Sequence, residues 1–262
     1  PVSQTSPAMG QQSLGGGTGT YTTTHGDFPQ CLMRNSRPNN STTAEAPQQP
    51  QHQLDNFIIF HKNARGLTNT ERIDELLTEL DGQLWDVILI NETMRDIKEE
   101  LWTTNEGHIF CGSGHDKFTR GVAILLHKRW ARSIKQFVPV SERIAYLDIS
   151  RKKLHLRLVT TYFPHSGYSD MHVQQTYDTL TTIRRDAAKG KQHLIIGADY
   201  NAQVGTRTED DNPHTIGTHG MTSCNTRGLW LKNWASTNDL VITNTFFQKQ
   251  QSEIETFTGP SK

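Results

Sequence analysis

Four short apolar runs in this sequence each end in a carboxamide, a carboxylate or a phenol, and this limits what the chain can fold into. Residues 58–60 lead to Asn63, and residues 87–90 lead to Asn91 and Glu92. Residues 156–159 lead to Tyr162 and His165, and residues 194–196 lead to Asp199 and Asn201. Runs of this length bounded by polar residues read as buried strands. Strand ends that converge on one sheet edge would gather oxygen ligands suited to a hard divalent cation such as Mg²⁺. Asp and Asn after a strand also start turns, so each residue alone has a plain structural explanation. Asp199 and Asn201 are more telling, because side chains at i and i+2 of an extended segment share a side.

The intervening segments supply helices and further strands. Thr68 followed by Glu71 suits a capping box, with Ile73, Leu76, Leu77 and Leu80 behind it at helical spacing. Residues 121–128 read as a strand, and 143–150 with 153–163 as a hairpin. Residues 169–188 form an amphipathic helix with Val173, Tyr177, Leu180 and Ile183 on one face. Residues 205–222 read as a loop, 229–237 as a helix and 239–247 as a strand. Many strands with few strict strand–helix alternations predict an α+β fold, two sheets packed together under outer helices. Trp230 and Trp234, at helical spacing, read as core, and Arg227 as structural.

Residues 1–53 differ in kind. Gly, Ser, Thr, Gln and Pro dominate, and such a segment cannot offset an ordering entropy of about 1–2 kcal/mol per residue. They are expected to be a disordered tail before a domain at 54–262. Lys plus Arg total 27 and Asp plus Glu total 27, so a binder held to nucleic acid by net charge alone is disfavoured. Cys31, Cys111 and Cys224 are odd in number and far apart, which argues against a disulfide scaffold and fits an intracellular protein. No apolar run approaches the roughly 18 residues that a membrane span needs.

GADYNA (residues 197–202) resembles the G-D-x-N motif of the endonuclease/exonuclease/phosphatase superfamily. NARGL (63–67) resembles its first motif, INET (90–93) its second, and TYFPH (161–165) the strand end that bears a phosphate-contacting Tyr. Residues 225–247 followed by TFTGP (256–260) resemble the endonuclease domain of non-LTR retrotransposons. The resemblance implies a four-layer α/β/β/α sandwich of the deoxyribonuclease I kind. It also implies a Mg²⁺-dependent (or Mn²⁺-dependent) DNA-nicking endonuclease. Family members continue to an Asp-bearing strand and a Ser-Asp-His motif, so the last strands are expected to be missing from this sequence. Ala198 stands at the family's G-D position, with Asp199 keeping the D-x-N spacing.

By the same resemblance, Asn63 and Glu92 would hold the metal. Asp199, Asn201 and Tyr162 would be catalytic, and His165, Arg65 and Arg120 would touch the DNA backbone. His214 and His219 are weak candidates for metal ligands. The partner would be DNA, contacted through its phosphate backbone, with a nuclear location if genomic DNA is the target and a reverse transcriptase downstream in one polyprotein. A non-catalytic remnant and a superfamily phosphatase are the alternatives.

Overall fold

The computed structural model describes residues 57–115 and 120–248. The expected tail at 1–53 and the 256–260 segment lie outside them. One sheet holds β1 (Ile59–Asn63), β2 (Val87–Asn91), β3 (Glu99–Thr103), β4 (Ile109–Ser113) and β5 (Val122–Leu126), in the order β1-β2-β5-β4-β3. The other holds β6 (Ile134–Ser141), β7 (Ile144–Arg151), β8 (Leu154–Tyr162) and β9 (His193–Asp199), in chain order. The pairs β1/β2 and β8/β9 are parallel. The helices are α1 (Thr70–Glu79), α2 (Asp170–Lys189) and α3 (Thr226–Thr237).

Side-chain alternation builds the layers. Leu89, Ile124 and Leu126 of the first sheet meet Leu147, Ile149 and Leu158 of the second. The opposite face of β2 and β5, with Ile88, Ile90 and Leu125, packs under Ile73, Leu76 and Leu77 of α1. On the far side, Val173, Tyr177, Leu180 and Ile183 of α2 and Leu231 of α3 cover Val159, Leu194 and Ile196. The result is the expected α/β/β/α sandwich. A strand covered on both faces reads as an unbroken apolar run, as VILIN does in β2. Each fully buried Leu or Ile contributes about 1.5–3 kcal/mol relative to exposure.

Some local expectations are corrected. Asn69, not Thr68, caps α1, with its Oδ1 accepting from Arg72 N at 3.1 Å. The strand expected at 239–247 does not form. Thr245 Oγ1 accepts from Gly217 N and donates to Ile242 O, both at 2.7 Å. That local closure makes a 3₁₀ turn at Thr243–Thr245 and leaves a single bridge between Ile216 and Ile242. Trp230 and Trp234 are partly buried against the core beneath α2, and Trp234 Nε1 donates to Thr181 Oγ1 at 2.9 Å. Arg227 is structural as read, pairing with Asp170 at 3.1 Å. Gly228 is required by close approach, because a Cβ there would meet the Gln203 carbonyl oxygen at 1.7 Å.

Two histidines stack at the end of the first sheet where β2 begins. The His108 and His127 rings lie 4.6 Å apart, and both pack on Trp85. Burial, reinforced by the Lys128 charge, lowers His108 to about 4, and the exposed Glu106 carboxylate at 3.3 Å does not offset it. His127 is also lowered to about 4, first by burial and then by His108. The unfolded chain therefore takes up protons between about pH 6.5 and 4 that the folded chain refuses. Stability is present above pH 6.5 and lost as pH falls through that window, by roughly 3 kcal/mol for the well-buried His108 and less for His127. Urea melts at pH 7, 5.5 and 4.5 should show this loss, with a shallower slope in His108→Asn. Flat stability across that range contradicts the assignment.

Candidate active site

The strand ends meet as a consequence of register. Asn63 ends β1 opposite Asn91 of β2, and Tyr162 ends β8 opposite Asp199 of β9. Each sheet thus delivers one parallel pair, carboxyl ends foremost, to the same place. Asn63 Nδ2 donates to Glu92 Oε1 at 2.7 Å and to Asp199 Oδ2 at 3.2 Å, so one carboxamide spans the two sheets. Behind it, Asn91 Nδ2 donates to the Thr161 carbonyl at 2.9 Å, and Thr160 Oγ1 donates to Asn91 Oδ1 at 3.0 Å. This buried clasp fixes one layer against the other.

Backbone hydrogen bonds link the loops that leave these strands. Gly66 N reaches the Glu92 carbonyl, Met94 N the Arg120 carbonyl, Gly121 N the Glu142 carbonyl, and Phe163 N the Asp199 carbonyl, all at 2.7–3.0 Å. Arg65, Glu92, Met94, Arg120 and Asn201 adopt positive φ values of 48–65° around this ring. Such conformations cost about 1–3 kcal/mol each for ordinary side chains and concentrate where function demands an awkward backbone. Gly121, at φ 88°, could not be replaced cheaply, since a Cβ would meet Thr93 Oγ1 at 2.3 Å.

Among the described residues, neither Glu92 nor Asp199 forms an ion pair with Lys or Arg. Both carboxylates accept from the uncharged Asn63 amide, and carboxylate oxygens are the donors that hard divalent cations take. Tyr162 is pushed up to about 12, first by burial and then by the charges of Glu92 and Asp199, so its phenol remains a proton donor. Asn201 N donates to Asp199 Oδ1 at 3.1 Å, while its Nδ2 donates to the Phe163 carbonyl at 3.0 Å. Its amide therefore secures the β9 end to the β8 end. Arg120 and His165 line the cleft beside Glu92 and Tyr162, whereas Arg65 sits exposed on the loop after β1. His214 and His219 stay on the long loop.

Three residues here had escaped the motif reading. Arg143 and Tyr168 line the same cleft. His61 lies on the β1 face that carries Asn63, though solvent reaches part of its ring. Burial lowers its pKa, while the Asp199 charge and a hydrogen bond with Asn91 act to raise it. Its spacing of two from Asn63 was the available signal; Arg143 and Tyr168 belong to no motif.

No family model matches the sequence. The chain is 27% identical over 204 residues to craniofacial development protein 2 of Bos taurus, an alignment covering 78% of this chain and 33% of that protein. The Tragulus javanicus protein of the same name gives 27% over 204 residues, 78% and 34%. The chain thus spans about a third of the length of the curated relatives it matches. Among solved structures it is similar to the endonuclease domain of TRAS1, a telomere-specific non-LTR retrotransposon. The identity is 16%, the coverage 70% of this chain and 71% of that one, and the TM-score 0.46. It is also similar to the AP endonuclease LMAP from Leishmania major, with 14% identity, 70% and 66% coverage and a TM-score of 0.49. The two stacked sheets bring the four motif segments to one edge of an α/β/β/α sandwich, the fold that the resemblance to the endonuclease/exonuclease/phosphatase superfamily implies.

Proposed function

We propose that this chain is a divalent-metal-dependent phosphodiesterase whose substrate is DNA and whose reaction is strand nicking. The observation that carries the reading is the pair of carboxylates, Glu92 and Asp199, bracketing Asn63 with no cationic side chain to neutralise them among the described residues. Glu92 and the Asn63 carboxamide oxygen would hold the metal, which when bound offsets charge on the phosphate and the leaving oxygen. Asp199, oriented by Asn201 N, takes the proton from the attacking water. The water oxygen bonds to phosphorus, the bond to the leaving oxygen breaks, and that oxygen is protonated from solvent. Tyr162 donates its hydrogen bond to a non-bridging oxygen, where charge grows.

The choice of DNA rests on the motifs NARGL, INET, TYFPH and GADYNA and on the retroelement-like segment from Asn225 onward. In that setting the domain would precede a reverse transcriptase in one polyprotein and act in the nucleus. No helix among the described residues is long and apolar enough to cross a membrane. A non-catalytic remnant is the second reading, favoured by the Asn201 amide, one N–H of which is held by the Phe163 carbonyl. Incubating supercoiled plasmid with the chain separates the two. Open-circle product should form in Mg²⁺ or Mn²⁺ and vanish with EDTA. A preparation that binds the metal yet leaves the plasmid supercoiled favours the remnant.

A further inference from the structure

The end of the sandwich away from the site differs in charge. β5 ends at Leu126 opposite Val87, where β2 begins, and β7 turns into β8 with Arg151 opposite Leu154. The 3₁₀ segment Lys128–Ser133, the start of β6 and this hairpin turn therefore share one pole. Arg151 joins them. Its guanidinium lies 5.1 Å from the centroid of the Trp130 ring, and its Nη1 donates to the Arg129 carbonyl at 3.5 Å. β8 takes nine residues to run from the turn to Tyr162, roughly 27 Å at about 3.4 Å per step.

Residues 128–135 and 151–155 hold seven Lys and Arg and no Asp or Glu. Arg129 is neutralised by the buried Asp86. The other six, Lys128, Arg132, Lys135, Arg151, Lys152 and Lys153, form no ion pair among the described residues, and all but Arg151 are exposed. Glu106, exposed on an adjoining turn, faces His108 instead. The whole chain has 27 cations and 27 anions, so this surplus is local, and a polyanion gains from it only by lying along it. Lys152 adds a second sign. It adopts φ 53° at the first position of a two-residue hairpin turn, a place that Gly, Asn or Asp fills at least cost. Strain tolerated at such a position points to a use for the side chain.

Protein interfaces are centred on aromatic or apolar anchors, and surfaces that enter a membrane add such anchors to their cations. These two segments expose no large apolar side chain, and Trp130 is buried under Arg151. Cations alone, carried on rigid strand ends, suit a row of phosphates. We infer that this pole is a second nucleic-acid surface, which takes the phosphate backbone of a DNA or RNA segment lying clear of the Glu92–Asp199 end. The surface does not depend on what that end hydrolyses.

A fluorescein-labelled DNA duplex and a single-stranded RNA of the same sequence, each titrated with the full chain in EDTA, test this and show which backbone is preferred. Lys152→Gln combined with Lys153→Gln should weaken binding of the preferred probe about tenfold and lower the slope of log affinity against log salt by about 2. Arg185→Gln, on the outer face of α2, should change neither. Lys152→Asn suits the turn and removes one charge, so its slope should fall by about 1 while its urea midpoint stays at or above that of the parent chain. A wild-type chain that binds neither probe overturns the surface, as does a double variant unchanged in affinity and slope. Phosphatidylserine vesicles that bind the wild type but not the double variant, with both nucleic-acid slopes unmoved, overturn it in favour of a lipid-binding face.

Discussion

Asp199→Asn is expected to slow Mg²⁺-dependent nicking by about 10²–10⁴, the range spanned by loss of a positioned base. Glu92→Gln should have an effect of the same order by a different route, the loss of the charged oxygen that anchors the cation. Titration with Mn²⁺ distinguishes the two: Glu92→Gln should lose most of its metal affinity, and Asp199→Asn a smaller part. Neither change should destabilise the fold. Among the described residues the two carboxylates converge on one amide without a cation, so removing either charge relieves repulsion. Melting temperatures equal to or above that of the parent chain are therefore expected, as for groups kept for chemistry at the expense of stability. Nicking that survives both substitutions at the parent rate would place the chemistry elsewhere.

Asp86→Ala should have the largest effect on stability, about 3–5 kcal/mol, the usual result of deleting one member of a buried ion pair. Asp86 is completely buried just before β2. One oxygen accepts from Ile58 N at 2.7 Å, which fixes the entry to β1. The other accepts from the Arg129 side chain, with Nε at 2.5 Å, and from Trp130 Nε1. Removing the carboxylate strands a guanidinium, an indole N–H and a backbone N–H together. Urea unfolding would register the loss as a lower midpoint at unchanged slope, and a change under about 1 kcal/mol would show that the surroundings relax around the gap.

The apolar runs that became β1, β2, β8 and β9 were legible because each is long enough and ends abruptly. Strands β3 and β4 were not. EELWT begins with two carboxylates, and only the fold shows that Arg95 meets Glu100 through two hydrogen bonds at 2.5 and 2.7 Å and makes its burial tolerable. The opposite error arose at 239–247, where β-branched residues suggested a strand but Val241 stays 53% exposed and the Thr245 hydroxyl bends the chain back. At the site, the motif spacing located the polar groups at strand ends. It was silent on which atoms they would hold, and the partner of the Asn201 amide was therefore not foreseen. Arg143 and Tyr168 could not be read at all. They come from the start of β7 and the loop before α2, and only the packing of the second sheet unites them.

The inter-sheet clasp of Asn91 with Thr160 and Thr161 has a wider implication. Glu92 belongs to one layer and Asp199 to the other, so their separation is set across a seam that no strand ladder crosses. Lengthening or recolouring the outer loops of either layer leaves that spacing alone, provided the clasp is kept. The rims of such a fold can therefore vary widely without retuning the distance between Glu92 and Asp199.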